Sequence, residues 1–250
     1  MSENPILNMS KEVDVPSNGW FGGPKKVTLR AMMVSEEKIL YTAKDFSFIK
    51  KIVKACCVEP KDLDIKTLHP NDLIYLLYAI RLITFGSKYT DERKCPECGL
   101  KQDIEIDISE MEMTQLKTEG LEDRLKVKLP VNGDTLQLKL LSQGDLDDID
   151  RKVNAGVNKG TIREPGSYEF TMKLKKTIDT INDEPFESEA HKIAYIEKLN
   201  ARDLAAIQAT LGKIEFGFDT TVYTECIGCG AEMEVAGTIC PEFFHPTTEI

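Results

Sequence analysis

The chain has 250 residues, of which 41% are hydrophobic and 30% charged, with a formal net charge of −10. That length suits one large domain or two halves sharing a core, and the acidity argues against a nucleic-acid binder, which needs a basic surface to displace counterions. No run approaches about 18 apolar residues, so no membrane span is expected, and Met1-Ser2-Glu3-Asn4-Pro5 has neither the basic start nor the apolar stretch of a secretory signal.

Residues 1–24 are polar and rich in glycine and proline, which predicts a flexible N-terminal arm. Trp20, the only tryptophan, and Phe21 are its large aromatics. They either anchor a partner, as aromatics do at interface centres, or tuck onto the protein's own body. Residues 27–32 read as a strand, and Ser35 is placed to cap a helix with Glu36 and Glu37 in its first turn. Phe46, Ile49, Val53 and Cys56 follow at helical spacing, so Cys56 and Cys57 read as buried core thiols. Asn71 or Asp72 is expected to cap a helix with the stripe Leu73, Leu76, Ile80 and Ile83. Alternation over residues 103–108 predicts a half-buried strand, and Asn132-Gly133 between alternating runs predicts a hairpin across 124–141. Ser142 and Asp145 open another helix; residues 154–167 read as a flexible loop, and 168–181 and 189–199 as helices. A last helix, capped near Asp203, carries Leu204, Ile207, Leu211 and Ile214. Both this helix and the one at Leu73 are expected to end at a Phe-Gly pair.

An internal repeat organises these elements. Shifting the chain by 131 residues aligns 32 positions without a gap and matches ten, where about two are expected by chance. Leu68, Asp72, Leu73, Ile83, Phe85, Gly86, Thr90, Cys95, Cys98 and Gly99 meet Leu199, Asp203, Leu204, Ile214, Phe216, Gly217, Thr221, Cys226, Cys229 and Gly230. The chain therefore divides into the arm 1–24, a first half 25–122, a second half 123–239 and an aromatic C-terminal tail 240–250. The predicted fold class is α+β, with internally duplicated strand-plus-helices halves.

Each half carries one C-x2-C-Gly sequence, Cys95 with Cys98 and Cys226 with Cys229. This spacing lets two sulfurs reach one ion from a tight turn, and the glycine lets the backbone turn without a clash. One such knuckle supplies two ligands, whereas a closed structural zinc site needs four. Pairing the knuckles gives one zinc-ribbon-like four-cysteine site, one zinc per chain, that fastens the halves together; four thiolates favour zinc or iron over calcium or magnesium. Two other arrangements compete. A local site of Cys226, Cys229, Cys240 and His245 leaves the first pair unexplained. A redox dithiol usually starts a helix, whereas both pairs here lie between predicted strands. The odd count of seven cysteines argues against a disulfide framework. The three histidines, His69, His191 and His245, form no metalloprotease motif, and no phosphate-binding or nucleophile-elbow sequence occurs, so no catalytic residue is assigned.

The chain resembles the T4-type bacteriophage baseplate proteins involved in assembling the central hub of a contractile tail. The residues that carry the resemblance are Asp72, Ile80-Arg81, Phe85-Gly86, Tyr89 and Cys95-Pro96-x-Cys98-Gly99. Later come Leu199, Asp203-Leu204, Phe216-Gly217, Cys226-x2-Cys229-Gly230 and Phe243-Phe244-x-Pro246. It spans roughly residues 25–246 and departs at Ile227, where a proline is usual; both flanking ligand cysteines remain. The resemblance implies a non-enzymatic factor or chaperone for hub assembly that binds hub or other tail proteins in the host cytoplasm. The alternative it leaves is a minor hub subunit kept in the virion tail, and a zinc-ribbon nucleic-acid-binding protein is the reading from a different class. Phe243 and Phe244 either pack internally or join Trp20 and Phe21 in binding a partner.

Overall fold

A computed structural model gives the fold and describes residues 10–42, 47–237, 239 and 241–244. The class is α+β: eight α-helices and five small antiparallel sheets among the described residues. No helix is long and apolar enough to cross a membrane.

The first sheet is built from β1 (Ser10–Asp14), β2 (Lys26–Arg30) and β3 (Cys57–Glu59), in that order. Between β2 and β3 run α1 (Val34–Thr42) and α2 (Ser47–Cys56). The alternation of Val27 and Leu29 turns both into the core, where Ile52, Val53 and Cys56 of α2 meet them. Then come α3 (Pro70–Phe85) and a hairpin of β4 (Lys88–Lys94) and β5 (Lys101–Asp107).

A second sheet follows a similar succession, with one strand and one helix more. It contains β7 (Lys126–Lys128), β8 (Thr135–Leu138), β9 (Ile178–Ile181) and β10 (Glu184–Pro185), with α5 (Gln143–Asn158) and α6 (Pro165–Thr177) between β8 and β9. After α7 (Glu189–Glu197) and α8 (Ala201–Gly212) the chain closes with a hairpin of β12 (Thr221–Glu225) and β13 (Glu232–Ala236). The irregularity where β2 meets β3, at Thr28/Leu29, has a counterpart where β8 meets β9, at Gln137/Leu138. In the chain, β6 (Met113–Thr114), which pairs with β11 (Gly217–Phe218), and the short α4 (Leu121–Arg124) come between the strands of the two sheets.

Several expectations are corrected. Residues 10–24 are no free arm: Ser10–Asp14 pairs with β2 over its whole length, and Val13 and Val15 are buried because β1 has an inward face. Residues 1–9 lie outside the described residues. The N-cap of α3 is His69, with Asp72 closing the capping box, and that of α8 is Asn200. Ser35 lies inside α1, where Glu36 instead accepts the Met33 amide at 2.8 Å. Helix α5 continues through residues 154–158, because Gly156 packs directly against Ile162. Helix α6 stops at Thr177, since Ile178–Ile181 joins β8 as a strand. Helix α3 ends at Phe85 with Gly86 at φ +82°, but α8 ends at Gly212, four residues before Phe216.

The hydrophobic cores do not divide the chain at residue 123. One core collects the first half and also Cys226, Met233, Val235, Phe243 and Phe244. A second contains Leu116, Leu121, Leu136, Ile178 and Ile207, with Trp20 packed against it, and a small third joins Ile149, Val153 and Met172 of α5 and α6. Thus the last hairpin folds back onto the first half, and the N-terminal tryptophan reaches over to the second.

Candidate metal centre

The knuckles are the turns of the two terminal hairpins. In β4–β5 the Cys95 amide donates to Leu100 O at 2.8 Å, and the Gly99 amide to Cys95 O at 3.0 Å. In β12–β13 the Cys226 amide donates to Ala231 O at 2.9 Å, and the Gly230 amide to Cys226 O at 2.8 Å. Gly99 and Gly230 take φ of +75° and +71°, which a side chain would strain. The same hydrogen bonds and the same left-handed glycine recur in each turn, so each presents its two sulfurs alike.

The hairpins face each other and bring the four thiols together. Cys95 Sγ lies 3.8 Å from Cys229 Sγ, and Cys98 Sγ 3.6 Å from Cys226 Sγ; all four sulfurs fall within 4.8 Å of one another. Those separations are far too long for a disulfide. They fit a tetrahedral ion: zinc–sulfur bonds of about 2.3 Å require sulfurs about 3.8 Å apart. Cys95 and Cys226 are buried, while Cys98 and Cys229 reach the surface. The amides of Cys229 and Gly228 favour the Cys226 thiolate and bring its pKa down to about 6. The Ala231 amide acts on Cys229 in the same sense but is outweighed by Cys98, burial and the other thiols, which push Cys229 up to about 12. A thiolate shared among crowded sulfurs is the state a metal captures, since binding releases the remaining thiol protons.

Gln102 locks the knuckles in register. Its side-chain amide donates to Glu225 O at 3.2 Å, and its Oε1 accepts the Ile227 amide at 2.9 Å. Arg93 adds a bond to Ala236 O at 2.9 Å. Neither was singled out from the sequence. The available signal for Gln102 was its inward register with Ile104 and Ile106, a polar residue on an apolar face.

The remaining candidates fall elsewhere. Cys56 is buried and Cys57 half-buried in the first core, where burial pushes their thiols up to about 12 and about 11. Cys240 and His245, needed for a local site with Cys226 and Cys229, lie outside the described residues. Neither pair starts a helix; both sit in hairpin turns. Of the four aromatics considered for partner binding, Phe243 and Phe244 are buried, whereas Trp20 and Phe21 are half-buried. Phe243 and Phe244 are 1% and 2% exposed. Trp20 packs on the second core, and Phe21 stacks on His69 with centroids 5.6 Å apart. The buried Arg81 holds the tail in place: its Nε donates to Phe243 O at 3.1 Å, its other nitrogens donate to Gly86 O and Lys88 O, and its guanidinium lies over the Phe243 ring at 5.8 Å.

A family model described as T4 bacteriophage base plate protein matches residues 8–245. The chain belongs to this family. No curated protein and no solved structure matches it significantly. The match takes in both hairpins and every cysteine of the cluster, so the four thiols are part of the base plate family region rather than of an appended segment.

Proposed function

We propose that this base plate protein is a non-enzymatic factor for assembling the central hub of a contractile tail, acting in the host cytoplasm by binding hub or other tail proteins. The observation that carries the reading is the family match across residues 8–245. The body is read as an internal duplication, supported by the matched succession of strands, helices and hairpin in the two halves and by the 131-residue repeat.

Cys95, Cys98, Cys226 and Cys229 would hold one structural zinc ion. Such an ion contributes folding energy and does no chemistry on a substrate. The chain's own part is to pre-form the site: two glycine turns aim the sulfurs, Gln102 fixes one turn against the other, and the Cys226 thiolate is favoured beforehand. Zinc peptides gain about 10–16 kcal/mol of apparent binding energy. Here the ion would mainly tether the last hairpin to a core that already exists, giving a rigid surface for binding.

Phage lacking the gene, and tails purified from complemented infections, test the reading. An assembly factor leaves hub-deficient particles when absent and is missing from mature tails by mass spectrometry. Recovery at constant stoichiometry in purified tails would make the chain a minor hub subunit instead. Unimpaired tails without the gene would refute both.

A further inference from the structure

The two closing hairpins are alike in fold and unlike in charge. Residues 83–106, which contain β4–β5, hold four Lys and Arg against five Asp and Glu. Residues 214–237, their counterparts 131 positions on, hold five acidic side chains and no Lys or Arg, and none follows up to residue 250. On the outward face of β4–β5 the carboxylates are answered within the hairpin: Lys88 pairs with Glu105 and Lys101 with Glu92, each at 2.7 Å. On the outward face of β12–β13, Glu225 stands directly opposite Glu232, and Tyr223 opposite Glu234. All four residues are exposed, and none of the three carboxylates forms an ion pair among the described residues.

Like charges directly opposed on a strand pair are destabilising, and this hairpin has no cation of its own to offset them. The cations of the neighbouring hairpin are used elsewhere. Lys101 is held by Glu92, and Lys94 Cε lies against the turn at Gly99. Arg93, which reaches Ala236 O, is paired with Asp91 at 2.6 Å. The face is also firm, since Met233 and Val235 on its reverse are buried in the first core and Gln102 binds the turn. Tyr223, 75% exposed, sets an aromatic ring among the carboxylates. That combination suits a guanidinium, which stacks on a ring and donates to carboxylates at once.

We propose that the outward face of β12–β13 docks a basic, arginine-bearing segment of a partner protein, with a guanidinium over Tyr223 and the carboxylates of Glu225, Glu232 and Glu234 meeting its cations. Charge complementarity selects the occupant, because the face offers acid and no base. The same carboxylates repel a nucleic acid or an anionic lipid surface. A face already fixed in shape loses little ordering entropy on binding. The inference rests on the reading of this chain as a tail-assembly binding protein and names the chemistry of the segment it binds.

Photocrosslinking with the full chain in infected cells tests it. Benzoylphenylalanine replaces Tyr223 in one variant and Tyr41, 76% exposed on α1, in a control. The Tyr223 probe is expected to link to a Lys- and Arg-rich segment of a tail protein. Glu232→Lys with Glu234→Lys should cut that yield by about tenfold without lowering the melting temperature, since a lysine opposite Glu225 relieves the like-charge pair. Glu232→Gln with Glu234→Gln, which keeps the shape and drops the charge, should give an intermediate yield. A link that survives charge reversal overturns the proposal, as does a link to nucleic acid, to a second copy of the chain or to a segment without excess basic charge. Tail-protein links at Tyr41 with none at Tyr223 overturn the face and leave the assembly function standing. No tail-protein link at either position also overturns the face, and the particles formed without the gene then judge the assembly function separately.

Discussion

Two buried aspartates do the same work in the two halves. Asp72 accepts the amides of Ser17 and His69, each at 2.7 Å. Asp203 accepts those of Val131 at 2.8 Å and Asn132 at 3.2 Å. Each thereby pins the loop between the first two strands of its sheet to the start of the helix that precedes the closing hairpin. Asp72→Asn and Asp203→Asn each turn an acceptor toward a donor, at an expected cost of about 2 kcal/mol by chemical denaturation. The two losses should add, because the carboxylates share no hydrogen-bond partner and their neighbours Leu73 and Leu204 pack in different cores. The repeat made both positions visible in the sequence, but as helix caps; their reach to a distant loop depends on tertiary placement that spacing does not encode.

His69 adds a pH dependence at the same scale. Its Nδ1 accepts the Asn71 amide at 3.1 Å, and burial lowers its pKa from 6.5 to about 4. The folded state therefore holds His69 neutral while the unfolded chain binds a proton. Stability from this group is full above about pH 6.5 and is lost as pH falls toward 4, by about 3 kcal/mol at most. His69→Asn keeps a capping acceptor without the titration, so its stability should fall less over that window. Parallel pH profiles for the two proteins would contradict this account.

At the scale of elements, the most local features were the most legible. The hairpin at Asn132-Gly133 and the C-x2-C turns follow from a few adjacent residues, and all three appear at the expected places. Ile178–Ile181 was less legible because helix and strand meet there without a glycine or proline to separate them. The α5 extension was hidden by Gly156, which reads as a breaker but serves as a close-packing point. The C-terminal 3-10 turn, residues 241–244, gave only an aromatic signature; its burial depends on Arg81, 162 residues away. Phe243→Ala should cost about 3–5 kcal/mol, the usual loss for a buried aromatic, and should loosen the last hairpin first. Hydrogen exchange on β12–β13 would read this; unchanged exchange would mean the tail is not a clasp.

Over the whole molecule, the four thiols close a circuit that the cores already outline. The final hairpin packs on the first core while its preceding helices sit on the second, so the chain's last quarter links the two. The four-cysteine cluster ties that hairpin to β4–β5 within the first core, where Cys95 and Cys226 are both buried. The repeat foretold the pairing of the knuckles. The assignment of the second hairpin to the first core was not legible, because it is set by contacts across more than a hundred residues.

Elemental analysis of the purified chain and of Cys95→Ser and Cys226→Ser tests the shared centre most directly. The account predicts one zinc per chain, lost from both variants together with a lower melting temperature. A chain without metal, or a variant that keeps its zinc and its melting temperature, would contradict it.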